Sequence, residues 1–154
     1  MKLLSAIGGG LAGAVAVTLI QEIVKRTEPE APRMDLLGMN AISKVLSYAG
    51  QPVPDDKKLF RVTLAGDILS NAFYYSMAVA SNKSIWTRGT VLGLAAGIGA
   101  VALPGPLGLN PEYSNKTAKT RLITTSLYLA GGLIASAVAK ALNKPKRLDF
   151  KPGK

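Results

Sequence analysis

The chain has 154 residues, of which 48% are hydrophobic but only 6% aromatic, and its formal net charge is +10. It contains no Cys, which excludes disulfides and thiolate metal sites, and no His, which removes the commonest general base and metal ligand. No metal and no cofactor is therefore expected, and the composition favours a non-enzymatic protein.

The apolar residues are concentrated in long blocks instead of being spread periodically, a pattern typical of membrane spans. The sequence predicts an all-α fold, an integral membrane bundle of four transmembrane helices in a single domain. The predicted elements in chain order are spans at 3–24, 62–81, 86–103 and 122–142, an amphipathic interfacial helix at 35–49, and a flexible basic tail at 144–154.

The first block, 3–24, follows a start that is also typical of signal peptides. It is longer than a usual signal core and rich in Gly, so the pattern favours a retained span. The segment at 25–33 is charged and interrupted by Pro29 and Pro32, so it cannot be helical throughout. Residues 35–49 then place apolar side chains mainly on one helical face, which predicts a helix in the headgroup region or against a partner protein.

The second span carries polar residues at membrane depth. Asp67 lies about 7.5 Å inside it along the helix axis, and Asn71 follows one turn later. A carboxylate at that depth costs about 2–3 kcal/mol on insertion scales, so it should face the bundle interior. With Tyr74 and with Glu22 near the end of the first span, these residues form a candidate ion or polar intramembrane site. If Glu22 and Asp67 face each other they could carry a proton. Otherwise Asp67 forms a structural hydrogen bond, to another helix or to Asn71 in its own, and Glu22 pairs with Lys25 or Arg26 on one helical face.

The third apolar block begins at Gly89 and is interrupted after Leu103 by a Pro-Gly-Pro sequence. These fifteen residues rise only about 22 Å, less than the roughly 30 Å of the hydrocarbon core. Either Ile85 and Trp86 extend the helix at its start, or residues 107–109 complete the crossing in a non-helical form.

Small residues recur at every fourth position in three of the predicted spans: Gly9 and Gly13, then Gly89, Gly93 and Gly97, then Gly132 and Ser136. Such stripes let helix backbones approach closely. They predict either packing within the bundle or, because three stripes are many for four helices, contact with another subunit.

Basic residues flank the predicted spans, where they are expected to bind anionic lipid headgroups: Lys25, Arg26, Arg33, Arg88 and Arg121. Because the positive charge lies between apolar blocks and in the tail, no nucleic-acid partner is expected. The 19 Lys and Arg residues divide almost equally between the two sides, and only the dense basic tail favours cytoplasmic termini.

Three functional classes fit this pattern. The leading expectation is an accessory or scaffold subunit of a cell or inner membrane, which packs through its glycine-rich faces against itself or other membrane chains. The alternative is an oligomeric ion channel or a proton- or cation-coupled transporter that uses the intramembrane carboxylates. The third is a lipid-modifying enzyme with a headgroup site near Arg33, Asp35 and Arg88.

Overall fold

The computed structural model describes residues 3–81 and 83–143. Within these ranges the regular secondary structure is all helix, without a strand, and the helices in chain order are α1 (Leu3–Thr27), α2 (Met34–Tyr48), α3 (Asp56–Ala78), α4 (Ile85–Ala102), α5 (Glu112–Asn115) and α6 (Ala118–Leu142). The all-α prediction is confirmed. The predicted basic tail at 144–154 lies outside the described residues.

Two helices begin earlier than the predicted spans because polar side chains cap them. The Asp55 carboxylate accepts hydrogen bonds of 3.1 Å from the backbone N–H groups of Lys57 and Lys58, so α3 starts in the charged segment before the apolar block. The Thr117 hydroxyl accepts a hydrogen bond of 3.1 Å from the N–H of Thr120 at the start of α6. A side chain that satisfies the first free N–H groups fixes the start of a helix.

The third apolar block is extended at its start, since α4 begins at Ile85 and includes Trp86. Its 18 residues rise about 27 Å, close to the thickness of the hydrocarbon core. Residues 103–109 form successive turns, in which the N–H of Leu107 donates to the carbonyl of Leu103 at 3.1 Å. The short helix α5 lies in the loop that follows and was not predicted.

Three helices, α1, α4 and α6, are long and apolar enough to cross a membrane by their length and composition. The surface of α1 agrees with this, because one side of the helix exposes a continuous apolar stripe. Its members are Leu3, Leu4, Ile7, Leu11, Val15, Leu19 and Ile23. A stripe of this size on the outside of a helix is typical of a surface that faces lipid.

The helices pack antiparallel, with α1 between α3 and α6, and α6 between α1 and α4. The contacts that show these directions join the start of one helix to the end of another: Gly9 with Ala139, Gly10 with Ser76, and Gly89 with Ser136. By contrast, α3 and α4 touch each other little although they are adjacent in the sequence. The α2 end of the bundle comprises α2, α5 and the segments 28–33 and 103–117. The opposite end holds residues 79–81, 83 and 84.

The small-residue stripes are buried between helices of this chain. A Cβ atom on Gly93 would lie 2.9 Å from the carbonyl oxygen of Tyr128 and 3.0 Å from the Cα of Leu129, so α4 lies directly on the backbone of α6. On the other side of α6, Gly13 and Gly131 leave the space that the ring of Tyr75 fills. All three predicted stripes are therefore used in packing within one molecule.

Candidate functional site

A small cavity of about 30 Å³, lined by both polar and apolar side chains, lies between α1 and α3 at the α2 end of the bundle. This volume is enough for one or two water molecules. The residues around this α1–α3 cavity are Thr18, Gln21, Glu22, Lys25, Pro32, Met34, Asp35, Phe60, Thr63, Leu64 and Asp67. Glu22 and Asp67, two of the predicted site residues, thus share one cavity.

Most of these side chains belong to two sets of residues, one on α1 and one on α3, with the same spacing in the sequence. Each helix contributes residues at i, i+3, i+4 and i+7, which is one face of an α-helix. The α1 set is Thr18, Gln21, Glu22 and Lys25, and the α3 set is Phe60, Thr63, Leu64 and Asp67. Because α1 and α3 pack side by side, the polar face of α1 meets Thr63 and Asp67 of α3.

Asp67 is a partly buried carboxyl group with few partners. Its Oδ1 accepts a hydrogen bond of 3.0 Å from the side-chain nitrogen of Asn71, as the sequence spacing predicted. None of the ion pairs formed by the described residues includes Asp67. A carboxylate that is partly buried without a counter-ion is costly unless water, a proton or a cation satisfies it.

Two further polar groups at the cavity are not satisfied by protein. Thr63 is only 5% exposed, and neither its hydroxyl oxygen nor the side-chain nitrogen of Gln21 has a hydrogen-bond partner among the described residues. Gln21 approaches the phenol of Tyr128 without forming a hydrogen bond of good geometry. Buried polar groups of this kind are normally satisfied by ordered water, for which the cavity is large enough.

Charged residues form the mouth of the cavity. Lys25 Nζ lies 2.6 Å from Oε1 of Glu22 and 3.3 Å from Oδ2 of Asp35, so one ammonium group bridges two carboxylates. Arg33 adds hydrogen bonds of 3.0 and 2.9 Å to the two oxygens of Asp35. The side chain of Glu22 is 38% exposed, which connects the cavity to the water at the α2 end.

The charge at the mouth is nearly balanced, whereas the charge inside is not. Burial of Asp35 opposes its ionisation, but the guanidinium of Arg33 and the ammonium of Lys25 outweigh burial and hold the pKa of Asp35 below its ordinary value. The same contact with Asp35 raises the pKa of Arg33. Two cations thus serve the carboxylates of Glu22 and Asp35, and Asp67 is the acid without a counter-ion.

The remaining predicted polar residue, Tyr74, does not belong to this site. Its hydroxyl donates a hydrogen bond of 2.9 Å to the carbonyl of Leu92, so it joins α3 to α4 on the other side of the bundle. Conversely, the sequence marks Thr63 only as a polar neighbour of Asp67 and does not point to Gln21 at all. Thr63 lies four residues before Asp67, and Gln21 lies one residue before Glu22. Only the packing of α1 against α3 shows that both side chains line the same cavity.

The predicted headgroup residues are divided between the two ends of the bundle. Lys25 and Arg33 are engaged in the ion pairs at the cavity mouth, and Arg26 and Arg121 are exposed at the same end. Arg88 lies at the opposite end, where its guanidinium donates to the carbonyl of Met77 at 3.0 Å. The structure therefore does not bring Arg88 together with Arg33 and Asp35, as a single lipid-modifying site would require.

Comparison with protein-family models, with curated proteins and with solved structures finds no match. No group of three or more acidic side chains close enough to hold a metal ion occurs in the described ranges. The chemistry of the site therefore follows from its own groups. The cavity is large enough to hold water beside Asp67, and Glu22 lies at its water-exposed mouth.

Proposed function

We propose that α3 is a fourth transmembrane span. It packs along α1, one of the three apolar helices, so a membrane that contains α1 also surrounds α3. The surface that α3 turns away from α1 is apolar, with Val62, Leu69, Phe73 and Met77 all exposed. The buried Thr63 and the partly buried Asp67 and Asn71 lower the average hydropathy of the helix but lie largely inside the bundle. Ser70 is exposed, and its hydroxyl donates to the backbone carbonyl of Asp67.

In this arrangement α2 lies at the level of the lipid headgroups. Leu37 is buried against the bundle, whereas Val45 and Tyr48, about two and three turns further along α2, are exposed. A short helix with an apolar face, a polar face and an exposed Tyr suits the membrane–water interface.

We propose that the protein binds and exchanges a proton at Asp67, as a component of proton-coupled transport. The observation that carries this proposal is the position of Asp67 in a water-sized cavity, without a counter-ion and beside the buried, unpartnered hydroxyl of Thr63. Ionisable groups at membrane depth commonly mark ion or proton pathways.

A proton suits the cavity better than a metal cation does. Apart from Asp67, the unsatisfied groups at the cavity are one hydroxyl and one amide nitrogen, and neither carries the negative charge that a metal cation needs. Hard cations take several oxygen ligands, preferably carboxylates. Two of the three carboxylates here are already paired with Lys25 and Arg33.

Access to Asp67 in this conformation is from the α2 end. Beyond the cavity, Gly10 lies directly against the backbone at Ala72 and Ser76, and Gly13 lies against the ring of Tyr75. These contacts close the path between α1 and α3 toward the opposite end. Proton release there would require α1 and α3 to separate at Gly10 and Gly13, which is the alternating step of the proposed transport.

An accessory or scaffold role in an oligomer or larger complex remains a separate proposal. Its main support in the sequence was an excess of small-residue stripes. Because α1, α4 and α6 bury these stripes against one another, they do not favour a second subunit over a single chain.

Proton uptake into liposomes tests the proton-exchange proposal. The purified protein is reconstituted with a pH-sensitive dye inside, and a potassium diffusion potential drives proton movement. We expect wild-type protein to acidify the interior and Asp67→Asn to remove that flux, since Asn retains the acceptor for Asn71 but cannot bind a proton. Glu112→Gln, a matched change at an exposed position of α5, should leave the flux unchanged. Equal flux in wild type and Asp67→Asn would refute the proposal.

A second pair of variants separates a proton site from a structural hydrogen bond. Thr63→Val keeps the shape of the side chain but removes the unpartnered hydroxyl, whereas Ser70→Ala removes an exposed hydroxyl two turns further along α3. We expect Thr63→Val to slow proton uptake and Ser70→Ala to have no effect. The infrared band of a protonated carboxyl group, present in wild type and lost in Asp67→Asn, identifies the group that holds the proton.

A further inference from the structure

A second, larger cavity opens on the side of the bundle between α3 and α4. This α3–α4 groove has a volume of about 450 Å³, which is typical of small-molecule pockets. Its lining is almost entirely apolar and consists of Met34, Leu37, Tyr74, Ala95, Ala96, Gly99, Ala100, Leu103, Pro104, Leu107, Leu109 and Tyr128.

The groove descends from the α2 end toward the middle of the bundle. Along α4 it extends from Leu103 to Ala95, about 12 Å on the helix axis. Near its inner limit the hydroxyl of Tyr74 donates to the carbonyl of Leu92 and joins α3 to α4. The groove is thus open to the side of the bundle and at its α2 end. It is closed toward the middle of the bundle, where Tyr74 contacts α4.

A basic residue without an acidic partner lies at the outer end of the groove. Lys44 Nζ donates hydrogen bonds of 3.2 and 2.9 Å to the carbonyls of Leu107 and Gly108 and lies 5.8 Å from the centre of the Tyr48 ring. It takes part in none of the ion pairs of the described residues. Both carbonyls are neutral, so the positive charge of Lys44 is not compensated by protein, and one of its three donor positions remains for a ligand.

Gly108 makes this position of Lys44 possible. Its φ of +69° is unfavourable for residues with a side chain, and a Cβ atom there would collide with Lys44 Nζ. The turn at 103–109 therefore holds the ammonium group beside Leu107, which lines the groove.

We propose that the α3–α4 groove binds one acyl chain of an anionic phospholipid, whose phosphate group meets Lys44. An apolar groove at this depth offers water few hydrogen-bond partners but suits hydrocarbon. The cation at its outer end complements a phosphate at the headgroup level. A transmembrane helix of a second copy, which is about 10 Å across, would require a groove along the whole bundle. The inference rests on the proposed membrane position of α3 and is independent of proton binding at Asp67.

Native mass spectrometry of protein from nanodiscs tests the proposal. The nanodiscs contain equal amounts of phosphatidylglycerol, which is anionic, and phosphatidylcholine, which is not. We expect wild-type protein to retain one phosphatidylglycerol molecule after transfer to detergent. Lys44→Gln should reduce the ratio of retained phosphatidylglycerol to phosphatidylcholine by about fivefold, the effect of one basic residue at a membrane surface.

Filling the groove should remove both lipids. Gly99 lines the groove, and a Cβ atom there meets only Leu103 of its own helix at 3.5 Å, so Gly99→Leu fits without displacing backbone. Gly66→Leu is the matched control, because it lies on the exposed face of α3 with no atom within 4 Å of its Cβ position. We expect no retained lipid in Gly99→Leu and wild-type retention in Gly66→Leu.

Three outcomes would overturn the inference. The first is that Gly99→Leu retains as much lipid as wild type, and the second is that Lys44→Gln does not change the preference for phosphatidylglycerol. The third is that a second protein copy, lost in Gly99→Leu, is bound in place of lipid. Helix content measured by circular dichroism shows that each variant is folded. Proton uptake measured on the same variants keeps this result separate from the proton-exchange proposal.

Discussion

The buried hydroxyl of Tyr75 in α3 donates a hydrogen bond of 2.9 Å to the backbone carbonyl of Tyr128 in α6. The Tyr75 ring reaches that carbonyl by lying between Gly13 and Gly131, where any larger side chain would collide with it. One aromatic residue thus connects α3 to both central helices. It also fixes the face that α3 turns toward α1, and therefore the position of Asp67 in the α1–α3 cavity.

Tyr75→Phe should lower the free energy of unfolding by about 1 kcal/mol, the usual value of a hydrogen bond between helices in a membrane. The loss is expected to be small because the Tyr128 carbonyl lies within a helix and keeps its own helical partner. Unfolding by SDS in mixed micelles measures the change. Tyr48→Phe is the control, since this side chain is exposed and has no hydrogen bond to lose. Equal stability of the two variants would contradict the role of the Tyr75 hydroxyl.

Gly93→Leu should prevent folding of the single chain. The new side chain would lie against the backbone of Tyr128 and Leu129, which cannot move without separating α4 from α6. Overpacking against backbone costs about 3 kcal/mol or more, whereas Gly66→Leu at an open position should be neutral. Circular dichroism and native mass, measured together, check this. A Gly93→Leu protein that stays folded but dissociates from another chain would instead support a subunit interface on this stripe.

The four long helices were predictable from the sequence because apolar blocks of membrane length have few alternative structures. The starts of α3 and α6 were missed by several residues, since Asp55 and Thr117 cap them in segments that the apolar pattern does not cover. The stripe at Gly93 was visible, but the sequence alone cannot show which helix it faces.

The candidate site was predictable only in part. Asp67 and Glu22 stand out because charges are rare at membrane depth. Thr63 is an ordinary hydroxyl in the sequence and becomes noteworthy only when the packing of α1 leaves it buried without a partner. Tyr74 lies two turns after Asp67 on α3, a spacing that predicts the same helical face. Its hydroxyl nevertheless contacts α4 and not the cavity between α1 and α3.

Thr117→Ala should destabilise the protein by about 0.5–2 kcal/mol, the usual effect of removing an N-cap side chain. The Thr117 hydroxyl caps α6 and also donates to the carboxylate of Glu30, while the hydroxyl of Thr120 donates to the Glu30 carbonyl at 2.9 Å. Its loss therefore weakens both the start of α6 and the contact with the connection after α1. Thr117→Ser keeps the oxygen and should retain most of the stability in the same SDS titration. If Thr117→Ser is as unstable as Thr117→Ala, the capping oxygen is not the cause.

Docking of α2 on the bundle should depend on pH through Asp35. Burial opposes ionisation of Asp35, but Arg33 and Lys25 together hold its pKa below the ordinary value of 3.8. The unfolded state therefore binds the proton more readily than the folded state does. The stabilising contribution is complete above the ordinary pKa and is lost as the pH falls through the lower pKa of the folded protein.

Hydrogen exchange of the α2 amides, corrected for the intrinsic effect of pH on exchange, measures this transition. We expect protection of α2 to fall below pH 3.8 in wild type, and Asp35→Asn to remove the dependence because nothing titrates at that position. Arg33→Gln should move the midpoint upward, toward the ordinary pKa, since the main group that favours the carboxylate is lost. The pair of Glu28 with Lys119 also lowers a carboxyl pKa, but its rupture should expose the start of α6 and not α2. An Asp35→Asn protein that still loses α2 protection over the same pH range would place the acid-sensitive group elsewhere.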